Sequence, residues 1–386
     1  PRYFGFVIGG NLPVALAADW LTGVWDQNSG IYATSPLVSV IEDVAREYLL
    51  DVLDLPRESA VGFVTGCMMA NFTCLAAARH AVLRRIGVNV EETGLARAPH
   101  VNIVTGAEAH VTIDMALRYL GFGAPEHRVA TDEQGRMIPG ELRRVLATLD
   151  GPTIVCAQAG NVNTGSFDPL RETAEIAHES GAWLHVDGAF GLWARASRDR
   201  AFLADGAELA DSWATDAHKW LNVTYDCGVC IVRDSAALRA AMTVSASYLE
   251  QTTGVERDPF EWVPEFSRRA RGITVYAALR VLGRRGVEDL IDRSCLRARQ
   301  MAEILARAPG VEILNDVVLN QVLVRFRGDD AITRDVVTRV QRDGTCWLGG
   351  TTWHGVAAMR VSVSNHATSE EDIERSADAI LRVLNV

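Results

Sequence analysis

Lysine is almost absent from this sequence. Of 38 Lys and Arg residues in 386, one is a lysine, Lys219. Basic residues form no block, and the net charge is −11. A nucleic-acid partner or an anionic membrane surface therefore has no broad field to meet, and an anionic ligand needs a local site. No apolar run reaches 18 residues, so no membrane-spanning helix is expected. No signal peptide is visible. The first residue is Pro1 rather than Met, within what reads as continuing sequence, so further residues are expected upstream. Neither GxxxxGK[ST], GxGxxG, GxSxG nor HExxH occurs, which weakens P-loop, Rossmann-dehydrogenase, serine-hydrolase and zincin readings. Low-complexity tracts, internal repeats and long linkers are missing too.

Cysteine is scarce and odd in number: Cys67, Cys74, Cys156, Cys227, Cys230, Cys295 and Cys346. They are scattered, and several lie in apolar runs. That favours reduced thiols in a cytoplasmic protein over a disulfide framework. Cys227-Gly-Val-Cys230 is spelled like a metal pair, but no second pair stands nearby, and the run "CIVRD" reads as strand packing. No metal is expected.

What is present is ordinary globular composition, 48% hydrophobic and 23% charged. A chain of this length implies one large domain and a smaller one. "SPLVSVIEDVAREYLLDVL", residues 35–53, spaces its apolar residues as an amphipathic helix. Then short strand-like runs alternate with helical ones. "HVNIVTG" precedes "AHVTIDMALRYLG", and "TIVCAQAG" precedes "DPLRETAEIAHESG". "AWLHVDG", "DSWATD" and "CGVCIVRD" follow. This alternation predicts an α/β fold, a mostly parallel sheet with helices on both faces. After about Arg268 two helical stretches lead into a smaller α+β unit with strands at "VEILND", "NQVLVRF" and "AAMRVSVSN". Thr368 and Glu371 fit the ends of a capping box on the final helix.

Four places could carry chemistry. Lys219 lies between apolar flanks, so burial is expected to lower its pKa and make it a usable amine nucleophile. Asp187 ends an apolar strand in "WLHVDG", where ligands of open α/β sheets bind; a plain helix-capping Asp is the alternative. "FVTGCMMANF" carries a strand into Gly66 and then a helix, a place where backbone N–H groups can hold a phosphate. His110 stands at the start of a helix, either structural or stacked on an aromatic cofactor.

Together these residues resemble the group II pyridoxal-phosphate-dependent amino acid decarboxylases, of fold type I, which include the aromatic amino acid and glutamate decarboxylases. The resemblance runs from "PRYFGFVIGG" to "AAMRVSVSN". It is strongest in "HVDGAFG" and in "ADSWATDAHKWLNVTYDCG", where a Ser-aromatic pair, five residues, Lys and an apolar pair follow in order. It implies a dimer-contacting N-terminal segment over 1–55, truncated here, a large cofactor-binding domain over 56–270 and a small C-terminal domain over 271–386. It also implies a homodimer.

The resemblance assigns Lys219 the Schiff base with pyridoxal 5′-phosphate, Asp187 the pyridinium nitrogen, and His110 and Ala189 the two ring faces. Gly66, Cys67 and Met68 fall on the phosphate loop, where relatives carry small or hydroxyl residues, which leaves backbone N–H groups as donors. Asn161 or Asn163 stands in place of a Thr near the cofactor. Ser212 and His218 belong to the lysine signature. Asp216 replaces a common Asn near the phosphate and would repel it unless it points away. The implied reaction is loss of the α-carboxylate of an L-amino acid.

Departures keep other outcomes open. "RDPFEW" puts Pro259 or Phe260 where relatives carry a loop Tyr, with Tyr248 as a substitute. Without that Tyr an aldehyde synthase, an aminotransferase or another carbon–carbon lyase is the second reading. A silent binding relative is the third. Trp25 and Tyr32 could line an aromatic pocket or sit in the core. Arg360 could meet a substrate carboxylate or be structural.

Overall fold

The computed structural model describes residues 1–244 and 256–385. Seven strands form the larger sheet: β1 Ala60–Val64, β2 Asn102–Gly106, β3 His127–Val129, β4 Thr153–Gln158, β5 Trp183–Asp187, β6 Ser212–Asp216 and β7 Gly228–Val232. Their spatial order is β1-β7-β6-β5-β4-β2-β3. All neighbours are parallel except β7, which runs antiparallel to β1 and β6. Six of the seven are buried along their whole length, which is why they read as continuous apolar runs.

Alternation along each strand feeds two cores. On one face Ile154, Cys156, Trp183, Ala214 and Cys230 meet the helices Cys67–Arg84, Val111–Tyr119 and Ser235–Met242. On the other, Val155, Ala157, Leu184, Val186 and Trp213 meet Leu49, Leu142, Leu170 and Val275. The two-residue period of a strand makes this division automatic. The carboxyl ends of β4, β5 and β6 finish together at Gln158, Asp187 and Asp216.

The amphipathic stretch at 35–53 forms the helix Pro36–Val52, entered at a proline whose missing N–H costs nothing there. Glu42 of this helix is wholly buried against Arg268, with a two-pronged contact of 2.9 and 2.5 Å. A preceding helix, Pro13–Trp25, escapes the sequence reading. The two helical stretches after Arg268 are one element, Gly272–Ala306, interrupted at Gly283, whose φ of 58° no regular helix has.

The smaller sheet has β8 Val311–Ile313, β9 Gln321–Phe326, β10 Gly349–Trp353 and β11 Val356–Ser362, in the order β10-β11-β9-β8 and antiparallel throughout. The strand β10, "GGTTW", carries too little apolar alternation to be legible. The final helix, Glu370–Leu384, corrects the capping expectation by one residue: its box is Ser369 with Asp372, not Thr368 with Glu371. Thr368 instead donates its hydroxyl to the Pro1 carbonyl. Residues 2–4 lie along this unit, with Phe4 N–H donating to the Trp347 carbonyl and the Tyr3 ring stacked on Trp347. All seven cysteines are buried and free, and Cys230 sits within β7 as strand packing. Among the described residues no helix is long and apolar enough to cross a membrane, and no metal-binding cluster occurs.

Candidate active site

A cavity of about 220 Å³ opens at the carboxyl ends of β4, β5 and β6. Gly66, Cys67, Met68, His110, Asp187, Ala189, Asp216, His218 and Lys219 all line it. The topology explains the convergence: each residue sits at a strand end, within three residues after one, or at the start of a helix on the same edge of the sheet. Gly228 of β7 lies directly behind the Gly66 turn; a Cβ on it would come within 2.4 Å of the Gly66 carbonyl carbon.

Asp187 ends β5 and is almost fully buried. Its Oδ1 accepts the Ala189 N–H at 3.1 Å and the Cys67 thiol at 3.4 Å. Its Oδ2 accepts from Asn71 Nδ2 at 3.3 Å. Behind it runs a directional chain. Trp183 Nε1 donates to Ser212 Oγ at 2.9 Å, and Ser212 Oγ stands 2.9 Å from His185 Nδ1. His185 Nε2 stands 2.9 Å from Asn71 Oδ1. Because Asn71 spends its N–H on Asp187, its oxygen must accept from His185 Nε2–H, so the neutral His185 carries its proton on Nε2. Burial alone pushes the His185 imidazolium down to a pKa of about 4.

His110 caps the helix Val111–Tyr119, its Nδ1 accepting from Thr112 N–H at 3.3 Å and lying 2.8 Å from Thr112 Oγ1. Burial lowers its pKa. His218 accepts Cys227 N–H on Nδ1 at 3.0 Å and stacks on Tyr225 with ring centres 4.2 Å apart.

Lys219 departs from expectation. Burial is the largest single influence and opposes its charge, but Asp216, whose Oδ2 lies 2.9 Å from Nζ, together with Cys67 and Asp187 outweighs it, so the ammonium is held above the usual lysine range rather than below it. The same Asp216 accepts the Cys67 N–H on Oδ1 at 2.6 Å. It points into the cavity, not away. The Lys219 backbone is pinned from outside: a Cβ on Gly9 would fall 1.8 Å from its carbonyl oxygen. Asn222 extends the clamp, donating to the Trp220 and Ser364 carbonyls at 2.9 Å and accepting His366 N–H at 2.9 Å.

Three expected site residues lie elsewhere. Ser212 begins β6, four residues and about 13 Å of strand before Asp216. Asn161 folds back on its own loop, accepting Asn163 and Thr164 N–H groups. Asn163 accepts from the Thr351 hydroxyl. Their neighbours Gly160 and Val162 line the cavity instead, with Val7, Thr112, Gln158 and Phe190. Trp25 and Tyr32 do not line it. Phe260 is buried against Phe266 in a short turn, also away from it. Tyr248 lies outside the described residues. Arg360 donates to the Val162 and Phe6 carbonyls at 3.2 and 3.4 Å, which ties together two segments of the cavity wall. Gln158 was findable from the strand-end rule, whereas Asn71 had no local signal.

The family described as "Pyridoxal-dependent decarboxylase conserved domain" matches residues 1–327. The chain belongs to the pyridoxal-dependent decarboxylase family. Its members take pyridoxal 5′-phosphate as cofactor and release the carboxylate of an amino acid. The chain is 28% identical over 350 residues to an aromatic-L-amino-acid decarboxylase of Bacillus atrophaeus, covering 89% of this chain and 71% of that one. It is 29% identical to the mouse acidic amino acid decarboxylase GADL1, covering 81% of this chain and 58% of that one. Its fold matches Oryza sativa TDC, solved with PLP and tryptamine, with a TM-score of 0.92 at 23% identity over 100% of this chain and 84% of that one.

The residues present fit the cofactor. An aldehyde needs an amine, and the chain's single lysine faces the cavity. A pyridine nitrogen needs a buried carboxylate, and Asp187 is buried and lines the cavity. A phosphate needs oriented N–H groups, and the helix beginning at Cys67 presents them.

Proposed function

We propose that this chain removes the α-carboxylate of an L-amino acid and returns the amine, with Lys219, Asp187 and His110 as its catalytic set. The observation that carries this reading is that all three line one cavity, though 109 residues separate His110 from Lys219 (219 − 110). Bound pyridoxal phosphate supplies an electron sink conjugated to the substrate's α-carbon. Asp187 holds a proton at the ring nitrogen, braced by Asn71 and Cys67. His110, whose charged form burial disfavours, and Ala189 both line the cavity and would flank the ring. Lys219, whose amine faces the cavity, would hold the aldehyde. Gly66, Cys67 and Met68 seat the phosphate through backbone N–H groups, with Asp216 and His218 beside it. Positioning of the scissile bond against the sink supplies most of the acceleration.

Exposed Trp20, Leu21 and Val24 on the helix Pro13–Trp25, with Leu37 and Val40 nearby in sequence, support a homodimer built through residues 1–55. The buried, unpaired cysteines suit the reducing cytoplasm.

The test is spectroscopic and chemical. Protein mixed with pyridoxal phosphate should absorb in the visible range, and borohydride should fix the cofactor on the peptide holding the only lysine. A panel of L-amino acids is then followed for CO₂ and amine. Absence of the band in wild-type protein would sink the reading. Aldehyde and ammonia in place of amine would move the chain to oxidative chemistry on the same site.

A further inference from the structure

Asp216 is the one cavity residue whose chemistry runs against the bound group. Its side chain is 3% exposed, with one oxygen 2.9 Å from Lys219 Nζ. The other oxygen is 2.6 Å from the N–H of Cys67, first residue of an 18-residue helix. That helix end is where an anion gains most from the backbone dipole. Here a carboxylate of the chain itself holds it. Among the described residues lining the cavity, Lys219 is the sole lysine or arginine, against the carboxylates of Asp187 and Asp216. His218 and Tyr225 from the same loop, Cys67 from the helix and His110 opposite are the other titratable groups around it, and both imidazoles are pushed toward neutrality by burial. A phosphate monoester brings between about one and a half and two negative charges. It would share this space with Asp216.

We infer that Asp216 occupies the phosphate seat as an internal anion, that it must release the Cys67 N–H when pyridoxal phosphate loads, and that the chain therefore binds its cofactor more weakly than a neutral side chain at 216 would allow. The inference rests on the cofactor reading above. It also gives Asp216 a second effect, because the same carboxylate holds Lys219 as an ammonium until the seat is given up.

The two effects separate with ligands that cannot join the lysine. Pyridoxine 5′-phosphate and pyridoxine carry an alcohol in place of the aldehyde and differ only in the phosphate. Both are titrated calorimetrically into cofactor-free wild-type protein, Asp216→Asn and Asp216→Ser. The expected result is binding of pyridoxine 5′-phosphate at least about tenfold tighter in the variants, a gain of about 1.4 kcal/mol. Pyridoxine affinity should stay within about threefold. The serine variant stands in if the asparagine variant does not fold. A phosphate ligand that gains nothing, or a gain shared equally by pyridoxine, overturns the inference. If neither ligand nor pyridoxal phosphate binds any of the three proteins, the cofactor reading itself fails.

Discussion

His185 Nε2 and Asn71 Oδ1 lie 2.9 Å apart, although 114 residues separate them in sequence. Through this contact the buried end of β5 reaches the carboxylate that faces the cavity. Asn71→Leu would strip Asp187 of a donor and leave the His185 N–H buried without an acceptor. An unmet buried polar group costs about 1–3 kcal/mol. Urea unfolding should show a loss of that size, and cofactor affinity should fall with it. An unchanged midpoint and unchanged affinity would show that the chain of bonds does not support Asp187.

The same histidine makes stability depend on pH. Its folded pKa is lowered to about 4 from an ordinary 6.5. The unfolded chain therefore binds a proton that the folded chain refuses. The contribution is fully present above about pH 6.5 and is lost as pH falls toward 4, up to about 3 kcal/mol by linkage. His185→Gln should flatten the stability profile across that window, measured as urea midpoints at pH 4.5, 5.5 and 7. A profile as steep as wild type would reject this origin.

Gly9→Ala tests the external clamp on Lys219. The new methyl would overlap the Lys219 carbonyl oxygen at 1.8 Å, a contact that only backbone movement can relieve. Crowding of this kind costs about 1–3 kcal/mol. The visible cofactor band per chain should fall even where the protein stays folded by circular dichroism. Full occupancy in the alanine variant would mean that residues 5–10 shift without consequence for the lysine.

Glu42 and Arg268 form a buried two-pronged pair, each side chain 1% exposed. Removing one partner alone, as in Glu42→Leu, strands a buried charge and should cost about 3–5 kcal/mol. Combining it with Arg268→Met should recover most of that loss in chemical denaturation. Simple additivity of the two losses would argue that the pair is not coupled.

Legibility in the sequence followed the range of the interactions. Lys219, Asp187, His110 and Gly66 were readable because each combines a telling residue type with a local place, a strand end or a helix start. Ser212 belongs to the same signature, but a strand has two ends, and it lies at the one turned away. Asn161 sits in a turn, where its short polar side chain bonds to nearby backbone first, and the Asn163 side chain is taken by Thr351 of the smaller unit. Asn71 was invisible because its meaning lies 116 residues away, at Asp187. The Lys219 shift failed for a related reason: burial is predictable from flanking residues, whereas the direction of Asp216 is not. The alternation of strand and helix gave the larger sheet, while Gly-rich β10 and the helix at Pro13 went unread.

The Asn222 clamp has a bearing on how the protein is made. The lysine loop is held through Asn222 by the Ser364 carbonyl, 142 residues later in the chain. At synthesis rates of about 5–20 residues per second, that interval is roughly 7 to 28 seconds. Throughout it the emerging chain already carries its lysine, its carboxylate, its helix end and the Gly9 contact, yet the loop that presents the lysine lacks the Ser364 and His366 half of its clamp. The clamp on the lysine loop is complete only once the segment around Ser364 has been made.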